Sequence, residues 1–163
     1  MKNEERISGI KLVAFDVDGV MTDGSLTFDE NGIEYKTFNA KDGQGIVNLN
    51  NEGYITAIIT ARNNGTVAHR AKILNIKELH QGQKNKFAAL QNIMEKYNLS
   101  FEEIAYMGDD IPDICVLEKV GLACCPADAS DEVRQIVHFV SSKDGGKGAV
   151  RELCDLIIRN KEN

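Results

Sequence analysis

Five carboxylates stand in two tight groups along this chain. Asp16 and Asp18 belong to Asp16-Val17-Asp18-Gly19, and Asp109, Asp110 and Asp113 to Gly108-Asp109-Asp110-Ile111-Pro112-Asp113. Each group directly follows a short apolar run, Lys11–Phe15 in the first case and Ile104–Met107 in the second. Acids held this close repel one another unless a proton or a cation compensates. A hard, oxygen-rich site of this kind favours Mg²⁺, which takes one or two carboxylates and keeps waters or a phosphate as its other ligands. A calcium loop is excluded, because its sixth position needs glycine and a helix must precede it. Here Met21 holds that position and the preceding run reads as a strand. Taken alone, Asp-x-Asp-Gly is also an ordinary strand-to-turn junction.

Two further residues gain meaning beside such a site. Thr60 closes a third apolar run, Tyr54–Ile59, and Lys86 opens a helix after Gln81-Gly82. Alone, Thr60 is a strand-end hydroxyl and Lys86 a solvated cation that mismatches the helix dipole. Next to a metal and an incoming phosphate, the same lysine neutralises phosphoryl charge.

These residues need elements that bring them together. The apolar runs 11–15, 54–59, 104–107, 122–125 and 137–140 and a short segment around Leu79 read as buried strands. Helical patterns lie between them: a helix capped by Asp42 and running to about Asn51, one capped by Asn63 and running to about Leu74, and one over 85–97. Further patterns cover 112–119, 130–135 and 149–159. Ser25–Phe28 and Glu34–Phe38 flank Asp29-Glu30-Asn31-Gly32, an Asn-Gly hairpin signal in which both residues tolerate positive φ. Gly145–Gly148 reads as a flexible loop, and the tails 1–6 and 160–163 as frayed ends.

Strands alternating with helices predict a doubly wound, Rossmann-like α/β fold. The expectation is a mainly parallel sheet, with a small β-hairpin insertion (about 20–38) after the first strand. One domain over residues 1–163 accounts for the length. In such sheets ligands bind beyond the carboxyl ends of the strands. Asp16, Asp18, Thr60, Asp109 and Asp110 should therefore converge.

Composition removes several function classes. With 25 acids against 19 bases the net charge is −6, and no basic run is present, which disfavours nucleic acid as a partner. No stretch approaches the roughly 20 apolar residues of a membrane span. The polar, acidic start carries no apolar secretory core, so the expected location is cytoplasmic. Cys115, Cys124, Cys125 and Cys154 form no C-x-x-C pair and read as reduced thiols in the core. His69, His80 and His138 are scattered and form no metal-binding cluster with them.

The ordered set Asp16-Val17-Asp18-Gly19-Val20, Thr60, Lys86 and Gly108-Asp109-Asp110-x-x-Asp113 resembles the four motifs of the haloacid dehalogenase superfamily. Further matches run along nearly the whole chain. They are Thr22-Asp23-Gly24, Phe38-Asn39-x-x-Asp42-Gly43-x-Gly45-Ile46, Gln81-Gly82-x-x-x-Lys86 and Gly145-Gly146-x-Gly148-Ala149-x-Arg151-Glu152. These resemble the phosphatase family that acts on 3-deoxy-D-manno-octulosonate 8-phosphate, a precursor of lipopolysaccharide. Ala61 departs from that pattern, which has glycine after the motif threonine.

The resemblance implies a phosphomonoesterase. In it Asp16 is the nucleophile and Asp18 the acid and then the base. Mg²⁺ is held by the Asp16 carboxylate, the Asp18 backbone carbonyl and Asp109. Thr60 and Lys86 hold the phosphoryl oxygens, while Asp110 and Asp113 orient waters or Lys86. Asp42, Gly43, Arg62 and Arg70 belong to the substrate-binding set, with the two arginines reading a carboxylate. Relatives for the nine-carbon homologue carry glutamate two residues after the threonine and a lysine in the next helix; this chain has Arg62 and Ile73. The hairpin of about 20–38 leaves no room for a large cap, and the resemblance implies a homotetramer in which a neighbour's hairpin and C-terminal segment close each site. Three alternatives stay open: a phosphatase for the nine-carbon or another sugar phosphate, a phospho-receiver module and a structural oligomerisation module. A receiver would place its phosphorylated aspartate after a middle strand.

Overall fold

The computed structural model describes residues 3–161. A short helix α1 (Asn3–Ile7) leads into β1 (Leu12–Phe15), then the hairpin strands β2 (Thr27–Phe28) and β3 (Glu34–Tyr35). After them come α2 (Ala40–Asn51), β4 (Ile55–Ile59), α3 (Gly65–Ile73), β5 (Glu78–His80) and α4 (Lys86–Tyr97). The second half holds β6 (Ile104–Met107), α5 (Ile114–Leu117), β7 (Leu122–Cys125), α6 (Asp131–Arg134), β8 (Phe139–Val140) and α7 (Ala149–Asn160).

The main sheet has six strands in the order β5-β4-β1-β6-β7-β8, and every pairing in it is parallel. All four residues of β1 are fully buried and alternate between two cores. Val13 and Phe15 pack with Ile46, Leu49, Leu153 and Ile157 of α2 and α7. Leu12 and Ala14 pack with Leu90 and Ile93 of α4 and Val116 and Leu117 of α5. Burial on both faces explains why the strands read as continuous apolar runs. The chain leaves β1 towards β4 and β5 on one side and returns to β6, β7 and β8 on the other. β1 is thus the switch point, where the fold opens a crevice at the carboxyl edge. Phe15 stands in register with Ile58 of β4 and Met107 of β6, so the segments after these three strands emerge side by side.

Several local expectations change. Asn39, not Asp42, caps α2, accepting from the backbone N–H groups of Lys41 (2.9 Å) and Asp42 (3.0 Å). Asn64, not Asn63, caps α3 through the N–H of Thr66. At the hairpin turn Gly32 takes a positive φ (77°), and Asn31 does not. Asp29 organises the turn, its carboxylate accepting from the N–H groups of Asn31 and Ile33 (both 2.9 Å). Residues 112–119 divide into a 3₁₀ turn at Ile111–Asp113 and the single turn of α5. Cys115 is exposed, unlike the other three cysteines. Residues 3–6 are helical rather than frayed, and Asn160 closes α7. The outermost tail residues, 1–2 and 162–163, lie outside the described residues.

The loop at 145–148 is pinned rather than loose. Gly146 N–H donates to Val20 O (3.0 Å) and Gly145 N–H to Asp128 Oδ1 (2.9 Å). A Cβ on Gly145 would fall 1.9 Å from Gly19 O. The glycines let this loop pack directly on the turn that follows β1.

Candidate active site

Asp16, Asp18, Thr60, Arg62, Lys86, Asp109, Asp110 and Asp113 all line one cavity of about 300 Å³ at the carboxyl edge of the sheet, together with Gly19, Gly24, Ala61 and Pro112. Asp16 leaves the end of β1 with its N–H bonded to Met107 O (3.0 Å). Its Oδ1 accepts from Val17 N–H at 2.7 Å, and its Oδ2 lies 2.8 Å from Lys86 Nζ. Thr60 is 2% exposed at the end of β4, its backbone tied to His80 and Gln83. Lys86 is carried in by the first turn of α4, whose cap is Asn85.

Lys86 is buried between two acids. Its Nζ lies 2.7 Å from Asp113 Oδ1 as well as 2.8 Å from Asp16. Burial alone would lower its pKa, but the Asp16 and Asp113 carboxylates outweigh that and hold it above the usual lysine value. Burial pushes Asp16 up to about 7, helped by repulsion from Asp113 and opposed by Lys86. Asp109 is pushed up to about 8 by burial and by Asp16, Asp113 and Asp110. The edge therefore carries more negative charge than Lys86 can balance.

One ligand-type oxygen from each of Asp16, Asp109 and Asp113 lies within 4.8 Å of the other two. Asp113 is already saturated. Its Oδ1 accepts from Lys86 Nζ and from Tyr106 Oη (2.6 Å), and its Oδ2 from the N–H groups of Asp109 (3.0 Å) and Asp110 (3.3 Å). A carboxylate offers about four lone-pair positions, so Asp113 anchors the site. Asp16 and Asp109 are left facing the cavity. Their all-oxygen donor set fits a hard dication such as Mg²⁺. Asp110 also lines the cavity, with its Oδ1 accepting from Ile111 N–H at 2.8 Å.

Asp18 is held apart from this trio. Its Oδ1 lies 2.5 Å from Nζ of Lys36, which follows β3. Arg62 donates to Glu34 Oε2 at 2.6 Å. Arg70, Asp42 and Gly43 lie outside the cavity lining, in contrast to their expected grouping with Arg62. Arg70 sits 5.6 Å over the Phe38 ring and donates to Asn39 O at 3.3 Å. It packs against Gly43, where a Cβ would come within 2.3 Å of its Nη2. Asp42 is buried and accepts from Arg151 N–H at 2.9 Å, joining α2 to α7.

Sequence reasoning missed Lys36, Glu34 and Tyr106. Tyr106 carried a usable signal, since a tyrosine inside an otherwise apolar strand needs a partner for its hydroxyl. Glu34 and Lys36, two apart in the run 34–38 expected as the second hairpin strand, were readable as one polar face.

A model of haloacid dehalogenase-like hydrolases matches residues 74–153. The chain is 42% identical over 153 residues to the 3-deoxy-D-manno-octulosonate 8-phosphate phosphatase of Escherichia coli K12, spanning 94% of this chain and 81% of that one. The Moraxella catarrhalis 3-deoxy-D-manno-octulosonate 8-phosphate phosphatase, solved with a magnesium ion, a phosphate ion and a KDO molecule, superposes with a TM-score of 0.95 at 37% identity. That match covers 98% of this chain and 92% of the other. The cobalt-bound Haemophilus influenzae enzyme superposes at 0.93 with 36% identity, covering 96% and 92%. With these matches spanning both the fold and the acidic edge, the chain belongs to the haloacid dehalogenase superfamily and, within it, to the family of 3-deoxy-D-manno-octulosonate 8-phosphate phosphatases.

Proposed function

We propose that this chain hydrolyses 3-deoxy-D-manno-octulosonate 8-phosphate to the free sugar acid and inorganic phosphate, in the supply of lipopolysaccharide precursors. The observation that carries this reading is the buried Asp16 carboxylate, 2.8 Å from Lys86 and beside Asp109 at the mouth of an open cavity. The ligands of the Moraxella relative, magnesium, phosphate and KDO, support the same assignment.

In this reading Asp16 attacks phosphorus. An Asp16–phosphorus bond forms as the bond to the sugar oxygen breaks, and Asp18 supplies the proton that the leaving alkoxide needs. Water then attacks the aspartyl-phosphate, giving its proton back to Asp18 and releasing phosphate and Asp16. A carboxylate nucleophile thereby divides one hard displacement into two easier ones, with one residue serving as acid and then as base. Thr60 and Lys86 hold phosphoryl oxygens. Asp113 and Tyr106 hold Lys86 in place, and Asp110 orients the turn after β6. Asp16, Asp109 and the Asp18 backbone carbonyl would hold Mg²⁺, which would supply charge neutralisation between carboxylate and phosphate. Arg62 reads the substrate carboxylate at the rim, since guanidinium pairs with carboxylate through two N–H groups.

Residues 1–163 act as one hydrolase domain, and the cytoplasm is its place of action. No helix among the described residues is long and apolar enough to cross a membrane. A homotetramer belongs to the same proposal. Leu26, Phe28, Ile33 and Tyr35 of the hairpin are each more than half exposed, an apolar surface suited to closing a neighbour's site. Light scattering tests this part, and a fully active monomer would refute it.

The direct test is phosphate release with Mg²⁺ on the eight-carbon and nine-carbon ketoacid phosphates and on simple sugar phosphates. A preference in kcat/KM of about a hundredfold for the eight-carbon ester, ~2.7 kcal/mol of discrimination, is expected. A preference for another ester keeps the mechanism and overturns the substrate.

A further inference from the structure

The hairpin brings a second lysine to the site. Lys36 Nζ lies 2.5 Å from Asp18 Oδ1 and 3.1 Å from Glu34 Oε1. The Lys36 side chain is 3% exposed, against 26% for Asp18 and 11% for Glu34, so the ammonium is the deepest member of the group. A buried ammonium is costly unless its protons are taken up by acceptors of good geometry, which separates this arrangement from a chance surface pair. Glu34 is itself anchored, its Oε2 accepting from Arg62 at 2.6 Å.

Two lysines thus divide the carboxylates at the sheet edge. Lys86 lies between Asp16 and Asp113, whereas Lys36 takes Asp18, which stays out of the Asp16–Asp109–Asp113 trio. We infer that Lys36 is a positioning residue for the reaction, fixing the Asp18 carboxylate at the cavity rim through Oδ1 and leaving Oδ2 to pass the proton, with Glu34 holding Lys36 in place. This rests on the phosphatase reading above. When the bond from phosphorus to the sugar oxygen breaks, that oxygen takes the proton from Asp18 Oδ2; Lys36 keeps its own protons throughout.

The leaving group reports the placement of the acid. The ratio kcat/KM covers events up to the loss of the first product, p-nitrophenolate departs with little protonation, and a sugar alkoxide needs a proton. K36M, K36R and K36A are compared with wild type on 3-deoxy-D-manno-octulosonate 8-phosphate and on p-nitrophenyl phosphate at saturating Mg²⁺, with the melting temperature of each. K36M should lose about 10²-fold in kcat/KM on the sugar phosphate, the low end of what a placed acid contributes, and only a few-fold on p-nitrophenyl phosphate. K36R should regain most of the loss. Equal losses of K36M on both esters, or K36R no better than K36M, would overturn the role of Lys36. If K36M does not fold, K36A decides by the same comparison, a loss confined to the sugar phosphate supporting the role and an equal loss overturning it. A wild type inactive on both esters would overturn the phosphatase reading and this inference with it; an active wild type with ester-independent losses would overturn the inference alone.

Discussion

Gly19 and the Asp109 carboxylate are in such close approach that a Cβ on Gly19 would fall 1.9 Å from Asp109 Oδ2. Gly19 also has φ +82°, a conformation that disfavours other residues. The turn after β1 thus sets the place of an acid that arrives from β6. Gly19→Ala should displace the Asp109 carboxylate and lower Mg²⁺ affinity by an order of magnitude or more, measured by calorimetry. It should also cost roughly 1 kcal/mol or more of backbone strain. Unchanged Mg²⁺ affinity would show that Asp109 does not bind the metal.

Asp16→Asn tests the nucleophile. The amide keeps the shape and removes a buried charge that is already destabilised, as its raised pKa of about 7 shows. Activity should fall on the order of 10⁴-fold, as expected when a central catalytic group is removed, while the melting temperature holds or rises. Near-normal turnover would remove Asp16 from the chemistry.

Much of this geometry was legible in the sequence, for a physical reason. Asp16, Thr60 and Asp109 each end a short apolar run, and parallel strands in a doubly wound sheet must present such residues at one edge. What was not legible depended on choices between near-equals or on tertiary packing. Asn39 and Asp42 both qualify as caps of α2, and Asn63 and Asn64 of α3; only the path of the chain selects between them. Arg70 was grouped with Arg62 by residue type, yet the packing of α3 against α2 turns it towards Phe38 and Gly43. Lys36 escaped notice because the way the hairpin folds back over the crevice is not written in its local pattern.

Proton linkage gives a pH test. In the metal-free protein Asp16 and Asp109 are raised from 3.8 to about 7 and about 8. The stability that their protonated forms contribute is complete below pH 3.8 and is lost as pH rises through 7 to 8, because the folded state binds the extra protons. Mg²⁺ requires the ionised acids and must displace those protons. Its affinity should therefore climb steeply up to about pH 7, less steeply to about pH 8, and then level. Mg²⁺ titrations across pH 6–9 check this, and a flat profile would exclude these two acids as the ligands.

Tyr106→Phe isolates the support beneath Lys86. It removes one donor from Asp113 Oδ1, leaving Lys86 as that oxygen's remaining partner. The loss should be about 1–3 kcal/mol of stability, the range for a hydrogen bond to a charged group. KM should rise as Lys86 loosens its hold on phosphate. Denaturant unfolding and steady-state kinetics measure the two effects, and a wild-type stability would mean that the hydroxyl contributes nothing net.

Arg62→Ala addresses substrate choice. Arg62 is 41% exposed at its side chain and is held towards the rim by Glu34, whose carboxylate occupies the guanidinium much as a ligand carboxylate would. A ketoacid substrate must compete for that guanidinium, whereas p-nitrophenyl phosphate has no group to offer it. Removing Arg62 should lower kcat/KM for the ketoacid phosphate by about 10–100-fold, the value of a charge-assisted hydrogen-bonded contact of roughly 1.5–3 kcal/mol. Turnover of p-nitrophenyl phosphate should change little. Equal losses on the two esters would mean that Arg62 braces the hairpin through Glu34 and does not read the substrate carboxylate.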